Sequence, residues 1–278
     1  MTGLAELPSL REALEAHGLW AKKAFGQHFL LDLNITRKIA RLAGMGPEDL
    51  VIEVGPGPGG LTRALLETGA CVLAVEKDER FRPLLEDLAR ATGGQLELVF
   101  EDALRVDEAA LAKGRRTHLV SNLPYNVGTP LLIKWLSGPW RPASLTLMFQ
   151  KEVAERIVAA PGSDAYGRLA VLAQATARPH LVMEAPARAF TPPPKVDSAV
   201  VRLEPRPDAP SPELLDALQT LTAAAFGQRR KMLRSSLKIL GGEDLIRAAG
   251  LDPQARAEVV DVGGFLALAG AWIERRKA

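Results

Sequence analysis

The sequence of 278 residues predicts a doubly wound α/β sheet followed by a small all-helical domain. Three observations lead to this fold class. Short runs rich in β-branched residues alternate with helical segments from residue 50 to about residue 203. These runs are apolar almost throughout, which is typical of parallel strands buried on both faces. A proline-rich stretch at 204–212 then ends the alternation, and no strand-like run follows it.

The predicted elements of the α/β part follow one another in a regular order. Strands are expected at 50–54, 71–75, 96–100, 117–121 and 145–149, with late strands, expected to be antiparallel, at 181–183 and 196–203. Helices are expected at 60–67, 78–91, 131–136 and 152–159. Because parallel strands end at one edge of a sheet, the side chains that follow these strands are expected to meet there.

The proline-rich stretch also predicts the main domain boundary. Ser211 has the residue type of a helix N-cap, and Pro212 would occupy the first helical position. We therefore expect an N-terminal extension at 1–20, an α/β domain at 21–205 and a helical domain at 206–278.

Composition limits the class of protein. A hydrophobic content of 47%, a charged content of 24% and a net charge of +2 are ordinary for a globular protein. No run approaches the ~18 to 20 apolar residues of a membrane span, and residues 1–10 lack the features of a secretory signal. The single cysteine, Cys71, cannot form a disulfide within the chain, and the four histidines lack metal-ligand spacing. These observations predict a cytoplasmic protein with no metal site and no membrane association.

A glycine-rich loop follows the first strand of the predicted sheet. Gly55, Gly57 and Gly60 match G-x-G-x-x-G, and glycine lets the backbone turn sharply and approach a ligand closely. Glu76 ends the next strand, where a carboxylate can accept hydrogen bonds from both hydroxyls of a ribose. The pattern predicts a nucleotide site that would serve NAD and S-adenosylmethionine equally.

Two features favour S-adenosylmethionine over NAD. Pro56 and Pro58 remove from the loop backbone N–H groups that a pyrophosphate would use. Asp102 follows the third strand, where its carboxylate could bond the amino group of a donor adenine. A helix N-cap is the alternative role for Asp102. We therefore expect S-adenosylmethionine as the bound nucleotide.

The strand at 117–121 is followed by Asn-Leu-Pro-Tyr at 122–125. The side chain of Asn122 and the carbonyl of Leu123 make a paired acceptor for an exocyclic amino group, since Pro124 restricts the preceding backbone to an extended geometry. Tyr125 offers a flat face on which a base could stack. This combination suits chemistry on the amino group of an adenine, although a proline-nucleated turn would use the same residues.

Basic residues cluster in the C-terminal part of the chain. Arg229, Arg230, Lys231, Arg234 and Lys238 lie close together with no acid among them. On one continuous helix, Arg230, Arg234 and Lys238 would share a face. The cluster predicts either a solvated helix face or a phosphate-binding stripe.

Four segments of the chain carry a family resemblance. They are Lys-Lys-Ala-Phe-Gly-Gln-His-Phe-Leu-Leu-Asp at 22–32, the motif at 122–125, Phe-Thr-Pro-Pro-Pro-Lys-Val-Asp-Ser-Ala-Val at 190–200, and Ala-Phe-Gly-Gln-Arg-Arg-Lys-Met-Leu-Arg at 225–234. Together they resemble the KsgA (RsmA) family of ribosomal RNA adenine dimethyltransferases, from about residue 20 to the end. The resemblance implies a class I S-adenosylmethionine-dependent methyltransferase fold, with a Rossmann-like doubly wound sheet and a small helical C-terminal domain that binds rRNA.

The implied reaction is dimethylation at N6 of two adjacent adenosines in the 3′-terminal hairpin loop of 16S rRNA, within the 30S subunit or its precursor. We expect the enzyme to be a monomer. The implied donor-binding residues are Gln27, His28, Leu30, Gly55, Gly57, Glu76, Asp102 and Asn122. The implied catalytic residues are Asn122, Leu123, Pro124, Tyr125 and Phe190. The implied RNA contacts are Lys22, Lys23, Arg229, Arg230, Lys231 and Arg234.

Phe190 is the candidate for stacking on the second face of the target base. The stiff proline run at 192–194 could hold its ring outward, and an ordinary core position is the alternative.

Three other functions stay open from the sequence. An NAD-dependent oxidoreductase rests on the glycine pattern and gives Asn122 no role. A 23S rRNA adenine N6-methyltransferase of the macrolide-resistance type is related, although the stretch 192–198 fits the 16S family better. A non-catalytic ribosome-assembly factor would keep the fold without the chemistry, which the intact motif at 122–125 and Glu76 argue against.

Overall fold

A computed structural model describes residues 3–19, 28–228 and 230–277 of the chain. By their contacts the residues form two compact units. The α/β unit comprises Met1–Lys134, Pro142–Ala154 and Leu181–Leu203, and the helical unit comprises Trp135–Arg141, Glu155–His180 and Glu204–Ala278. The domain boundaries predicted at residues 20 and 205 stay predictions.

The strands form one large mixed sheet and one small sheet. In chain order they are β1 (Phe29–Leu30), β2 (Leu50–Val54), β3 (Cys71–Glu76), β4 (Leu96–Phe100), β5 (Thr117–Asn122), β6 (Ser144–Gln150), β7 (Ala177–Ala185), β8 (Phe190–Thr191) and β9 (Ser198–Pro205). The large sheet has the order β4–β3–β2–β5–β6–β9–β7, and β1 pairs with β8 in the small one. Strands β2 to β6 pair in parallel, whereas β9 runs antiparallel to β6 as expected.

The helices connect these strands and build the C-terminal part. They are α1 (Leu10–Ala16), α2 (Leu33–Ala43), α3 (Gly60–Leu66), α4 (Arg82–Ala91), α5 (Glu108–Ala112), α6 (Gly128–Ser137), α7 (Lys151–Val158), α8 (Arg168–Thr176), α9 (Pro212–Gly227), α10 (Leu233–Ser236), α11 (Gly242–Ala248) and α12 (Val262–Lys277). Within the described ranges, no helix is long and apolar enough to cross a membrane.

Several helices, among them α1, α2 and α5, were not predicted, and two further differences from the sequence expectation have clear reasons. The helix predicted at 78–91 is divided into a 3-10 turn at Glu79–Phe81 and then α4, whose first turn contains Pro83. Helix α8 was not predicted, because it is apolar and buried on several sides and so lacks the 3.6-residue period of a surface helix.

The strand order reverses between β2 and β5. From β2 the chain moves outward to β3 and β4, and from β5 it moves the other way to β6. In open α/β sheets, the crevice at such a reversal lies at the carboxyl ends of the strands and is the usual position of a ligand.

One apolar cluster of the α/β unit packs α2 and α3 against a face of the parallel strands. Ile39, Val51, Leu65 and Val120 are each at most 1% exposed in one apolar cluster, and burying a side chain of this size contributes roughly 1.5–3 kcal/mol. Gly60 opens α3 beneath β1, where a Cβ atom would lie 2.6 Å from the carbonyl oxygen of Leu30. Only glycine permits this close approach.

The helical unit is organised around three aromatic rings. The rings of Tyr166 and Phe226 are 5.9 Å apart, and those of Phe226 and Phe265 are 5.5 Å apart. The Tyr166 hydroxyl donates to the carbonyl of Val260 at 2.9 Å, and burial raises the pKa of Tyr166 to about 12. An aromatic pair contributes roughly 0.5–1.5 kcal/mol beyond its area, so this cluster anchors the unit.

Candidate active site

The glycine loop and the Asn-Leu-Pro-Tyr motif are in direct contact. Gly55 and Gly57 follow β2 with φ of +71° and +54°, in the left-handed region that favours glycine. A Cβ atom on Gly55 would lie 3.3 Å from Cδ of Pro124. The loop after β2 therefore packs closely against the motif after β5, on the two sides of the strand-order reversal.

A cavity of about 210 Å³ opens where these two segments meet. Its wall contains nine of the residues predicted from the sequence: His28, Leu30, Gly55, Gly57, Glu76, Asn122, Leu123, Pro124 and Tyr125. The wall also includes Phe29, Glu53 and Phe81. The structure thus brings most of the predicted donor and catalytic residues into one cavity.

Glu76 is fixed at the wall of this cavity by backbone N–H groups. Its carboxylate accepts hydrogen bonds from Gly57 at 3.1 Å, Lys77 at 2.9 Å and Asp78 at 2.8 Å. The side chain is buried, and this burial raises its pKa against the opposing effect of the three N–H groups. The carboxylate is therefore already oriented at the end of β3.

Glu53 is a functional candidate that the sequence places near a strand end but to which it gives no specific role. It lies at the end of β2, is 1% exposed and lines the cavity. Its Oε2 atom has no hydrogen-bond partner among the described residues. Burial is the main reason that the pKa of Glu53 is raised to about 8; the Thr62 hydroxyl acts to lower it and the nearby Glu76 charge to raise it. An unsatisfied buried carboxyl at a cavity wall is a binding point for a ligand that brings a donor or a positive charge.

The Asn-Leu-Pro-Tyr motif forms the opposite wall. The N–H groups of Val127 and Gly128 donate to the carbonyl of Pro124 at 3.1 and 3.0 Å, which closes a turn before α6. The Tyr125 hydroxyl lies 2.8 Å from Oγ of Ser198, which fixes its half-buried ring. Ser198 lies in the segment 190–200 that carries the family resemblance, but only the fold brings it next to Tyr125.

His28 connects this wall to the small sheet. Its Nδ1 atom lies 2.7 Å from the carbonyl oxygen of Pro192, and its ring centre lies 5.9 Å from that of Tyr125 with an interplanar angle of 30°. The pairing of Leu30 with Phe190 between β1 and β8 holds this segment in place.

Asp102 lies at the same sheet edge but is not among the described residues that line the cavity. Its carboxylate accepts a hydrogen bond from Nζ of Lys77 at 2.8 Å, which is the main reason that its pKa is lowered. The N–H of Glu101 donates to the carbonyl of Glu76 at 3.0 Å, so the loop after β4 lies beside the end of β3.

Lys134 in α6 fixes the loop after Asp102. Its ammonium group donates to the carbonyls of Ala103 at 2.8 Å and Val106 at 2.6 Å, and to Oε1 of Glu108 at 2.8 Å. Three acceptors satisfy all three N–H donors of the ammonium group. The helix that follows the Asn-Leu-Pro-Tyr motif is therefore tied to the loop that carries Asp102.

The expected outward position of Phe190 is wrong in this structure. The ring is 3% exposed and belongs to the apolar core with Ile39 and Val200. It does not contribute to the cavity wall that the described residues form. Core burial of a large aromatic side chain outweighs the stiffness of the proline run that follows it.

The predicted RNA contacts are only partly described. Lys22, Lys23, Gln27 and Arg229 lie outside the described residues. Arg230 and Lys231 are exposed in a turn, and Arg234 lies 3.6 Å from Glu243. The basic cluster does not lie on one continuous helix, because α10 ends at Ser236 and a 3-10 turn follows at Lys238–Leu240.

Together, the fold and the cavity define a class I, Rossmann-like methyltransferase with a helical C-terminal part. Residues 18–272 match the family described as ribosomal RNA adenine dimethylase. The chain belongs to this family.

Relatives and solved structures agree with this assignment. The chain is 80% identical over 275 residues to ribosomal RNA small subunit methyltransferase A of Phenylobacterium zucineum, with 99% of this chain and 96% of the relative covered. It resembles the crystal structure of a dimethyladenosine transferase from Plasmodium falciparum, with a TM-score of 0.74 and 27% identity over 90% of this chain and 98% of that one. It also resembles the 23S rRNA methyltransferase ErmE, with a TM-score of 0.68 and 25% identity over 88% of this chain and 99% of that one.

Proposed function

We propose that this rRNA adenine dimethylase uses the cavity between β2, β3 and β5 to methylate N6 of two adjacent adenosines in the 3′-terminal hairpin loop of 16S rRNA. The proposed methyl donor is S-adenosylmethionine, and the proposed role is in small-subunit biogenesis. The observation that carries this proposal is the packing of Gly55 against Pro124. That contact supports one cavity shared by a donor-binding loop and an adenine-binding motif.

The residues of the cavity fit such a donor. Glu76 is oriented to accept hydrogen bonds from the two ribose hydroxyls, and the left-handed turns at Gly55 and Gly57 leave the loop open to close approach. Glu53 lines the cavity and would accept a hydrogen bond from the cationic amino acid portion of the donor. Asp102 would bond the donor adenine by exchanging its contact with Lys77.

The acceptor side supplies orientation and electrostatics. When bound, S-adenosylmethionine supplies an electrophilic methyl group carried on sulfur. Asn122 Oδ1 and the Leu123 carbonyl would accept the N6 hydrogens of adenine and so direct the nitrogen lone pair toward that methyl group. Tyr125 would stack on a base that has left its helical stack. No general base is needed, because the N6 proton becomes acidic only as the new bond forms and can leave to solvent.

The helical unit is proposed to hold RNA. Arg230, Lys231 and Arg234 would contact phosphates, and we extend this role to Lys22, Lys23 and Arg229 on the resemblance of their motifs. The proposed partner is 16S rRNA within the 30S subunit or its precursor, and the proposed working form is a cytoplasmic monomer.

Small-subunit rRNA is preferred over 23S rRNA as the substrate. The similarity to ErmE reflects a shared fold, whereas the relative at 80% identity is named for the small subunit. The NAD alternative is disfavoured because Pro56 and Pro58 line the cavity where a pyrophosphate would need N–H donors.

The test is methyl transfer from radiolabelled S-adenosylmethionine to undermethylated 30S subunits, with 50S subunits as a parallel substrate. Wild-type protein should label 16S rRNA as N6-dimethyladenosine, and Asn122→Ala should not. Asn34→Ala is the matched control, because Asn34 is exposed in α2 and does not line the cavity. Label in 23S rRNA would overturn the substrate, and donor binding without transfer to either subunit would favour the assembly-factor alternative.

A further inference from the structure

We propose that residues 3–19, here called the N-terminal arm, act as a brace that sets the donor side of the cavity. This inference rests on the proposed function. The family match begins at residue 18, so nearly the whole arm lies outside the part of the chain that the match covers. The arm belongs to the same compact unit as the cavity.

The arm has its own defined local structure. Ser9 and Glu12 form a capping box at the start of α1, in which the N–H of Ser9 donates to Glu12 Oε2 at 2.8 Å and the N–H of Glu12 donates to Ser9 Oγ at 3.3 Å. At the other end, the N–H of Leu19 donates to the carbonyl of Leu14 at 2.8 Å. A helix of seven residues is marginal alone, so its stability depends on the surface that it covers.

One contact of the arm is with the helix that begins at the glycine loop. Nη1 of Arg63 in α3 donates to the carbonyl of Pro8 at 2.7 Å. A Cβ atom on Gly60 would lie 3.3 Å from Cδ1 of Leu10. The arm therefore lies against the first turn of α3, and Gly60 in that turn lines the cavity.

The second contact is directly behind the cavity wall. Leu14 is fully buried in a cluster with Phe29, Phe81 and Leu85. Phe29 and Phe81 line the cavity and meet edge to face, with ring centres 5.7 Å apart and an interplanar angle of 85°. Leu14 thus fills the space behind the two aromatic rings that form the wall on the donor side.

Leu14 is expected to hold the two aromatic rings in place, because protein interiors are closely packed. Removing the Leu14 side chain would leave a hole into which the neighbouring rings can move, because protein interiors relax toward such cavities. Such movement would change the donor side of the cavity without touching the Asn-Leu-Pro-Tyr wall. The arm should therefore affect donor affinity more than the acceptor chemistry.

The experiment measures the Kd for S-adenosylhomocysteine by calorimetry on the full chain, together with urea unfolding. Leu14→Ala should raise the Kd roughly fivefold or more. A factor of about five is the lower end of the usual affinity change when one site acts on another. Leu221→Ala is the matched control, since Leu221 is also fully buried but lies in α9 of the helical unit. It should lower stability without changing the Kd.

Arg63→Met is the second variant, and it tests the role of the arm without leaving a hole in the apolar core. It removes the bond to Pro8 while retaining most of the apolar stem, and it should raise the Kd in the same direction. If wild-type protein binds and both variants match it within about twofold, the brace is wrong. If wild-type protein does not bind S-adenosylhomocysteine, both the proposed donor site and the proposed role of the arm are wrong.

Discussion

Buried polar side chains have different surroundings at the two ends of the parallel strands. At the amino ends, Nδ1 of His118 lies 2.7 Å from Oγ of Ser144, and its Nε2 lies 3.3 Å from Oδ2 of Asp49, within ion-pair distance but without hydrogen-bond geometry. The N–H of Gly46 donates to Asp49 at 2.8 Å, and this bond is the main reason that the pKa of Asp49 is lowered. At the carboxyl ends, Glu53 is equally buried, yet its Oε2 has no partner among the described residues and its pKa is raised by burial.

This difference indicates which end of the strands is available to bind a ligand. A buried polar atom without a partner costs about 1–3 kcal/mol, so at a cavity wall it is a candidate for a partner that a ligand supplies. At the amino ends of β2 and β5, Asp49 and His118 have their main contacts with other groups of the protein, and these contacts serve stability. At the carboxyl ends, Glu53 lines the cavity and its Oε2 has no partner among the described residues, which we interpret as a position for a ligand.

The largest effect on donor binding is expected from Glu76→Gln. The amide loses one acceptor oxygen and turns an N–H group toward backbone N–H groups that now bind the carboxylate. The Kd for S-adenosylhomocysteine, measured by calorimetry, should rise roughly tenfold to a hundredfold. Glu67→Gln, which alters a surface pair with Arg37, is the control and should leave the Kd unchanged. An unchanged Kd for Glu76→Gln would remove the carboxyl end of β3 from the site.

Glu53→Gln should change how the unfolding free energy depends on pH. The pKa of Glu53 is about 8 in the folded protein and near 4.5 in the unfolded chain. Because the folded value is the higher one, its stabilising contribution is present below about pH 4.5 and is lost as pH rises to about 8. Between about pH 5.5 and 8.5, wild-type protein without ligand should lose up to ~3 kcal/mol of unfolding free energy relative to Glu53→Gln.

Urea unfolding of both proteins at the two pH values measures this effect. The difference between them isolates Glu53, since the other titrating groups are common to both. Parallel pH profiles would mean that the Glu53 carboxyl is not the strained group that the geometry indicates.

Lys134→Met should have a moderate effect on donor binding. Loss of the ammonium group frees the loop after Asp102 from the carbonyls of Ala103 and Val106. We expect the donor Kd to rise roughly threefold to tenfold, because only the order of a loop is lost. Lys151→Met, which alters a surface pair with Glu184, is the control. Equal Kd values for the two variants would contradict a positioning role for Lys134.

The smallest effect on donor binding is expected from His118→Gln. This change disturbs the network at the amino ends of the strands and should lower the unfolding free energy by roughly 1–3 kcal/mol. The donor Kd should stay at the wild-type value, because the cavity lies at the other end of the same strands. A change in Kd larger than that of Lys134→Met would break the proposed division between the two ends.

Much of this arrangement could be predicted from the sequence, because short motifs end on neighbouring strands. The glycine loop, Glu76 and the motif at 122–125 each have a local signal, and parallel strands bring them to one edge. The strands at 50–54 and 96–100 are confirmed at their predicted bounds.

Other features depend on contacts between residues distant in the chain. The burial of Phe190, the bond between Tyr125 and Ser198, and the position of Leu14 behind Phe29 have no local signal. The unsatisfied state of Glu53 is likewise a property of its surroundings. Sequence patterns indicate which groups are present, whereas packing decides which of them remain available.

We propose that the carboxyl edge of the sheet binds the methyl donor at β2 and β3 and the target adenine at β5. The most direct test measures donor Kd and the rate of methyl transfer to undermethylated 30S subunits on the same preparations of Glu76→Gln and Asn122→Ala. Glu76→Gln should lose donor affinity. Asn122→Ala should lose transfer by ~100-fold or more and raise the donor Kd no more than about threefold, because the resemblance gives Asn122 only one of eight donor contacts. Wild-type transfer by Asn122→Ala, or a loss of its donor affinity as large as its loss of transfer, would contradict that division.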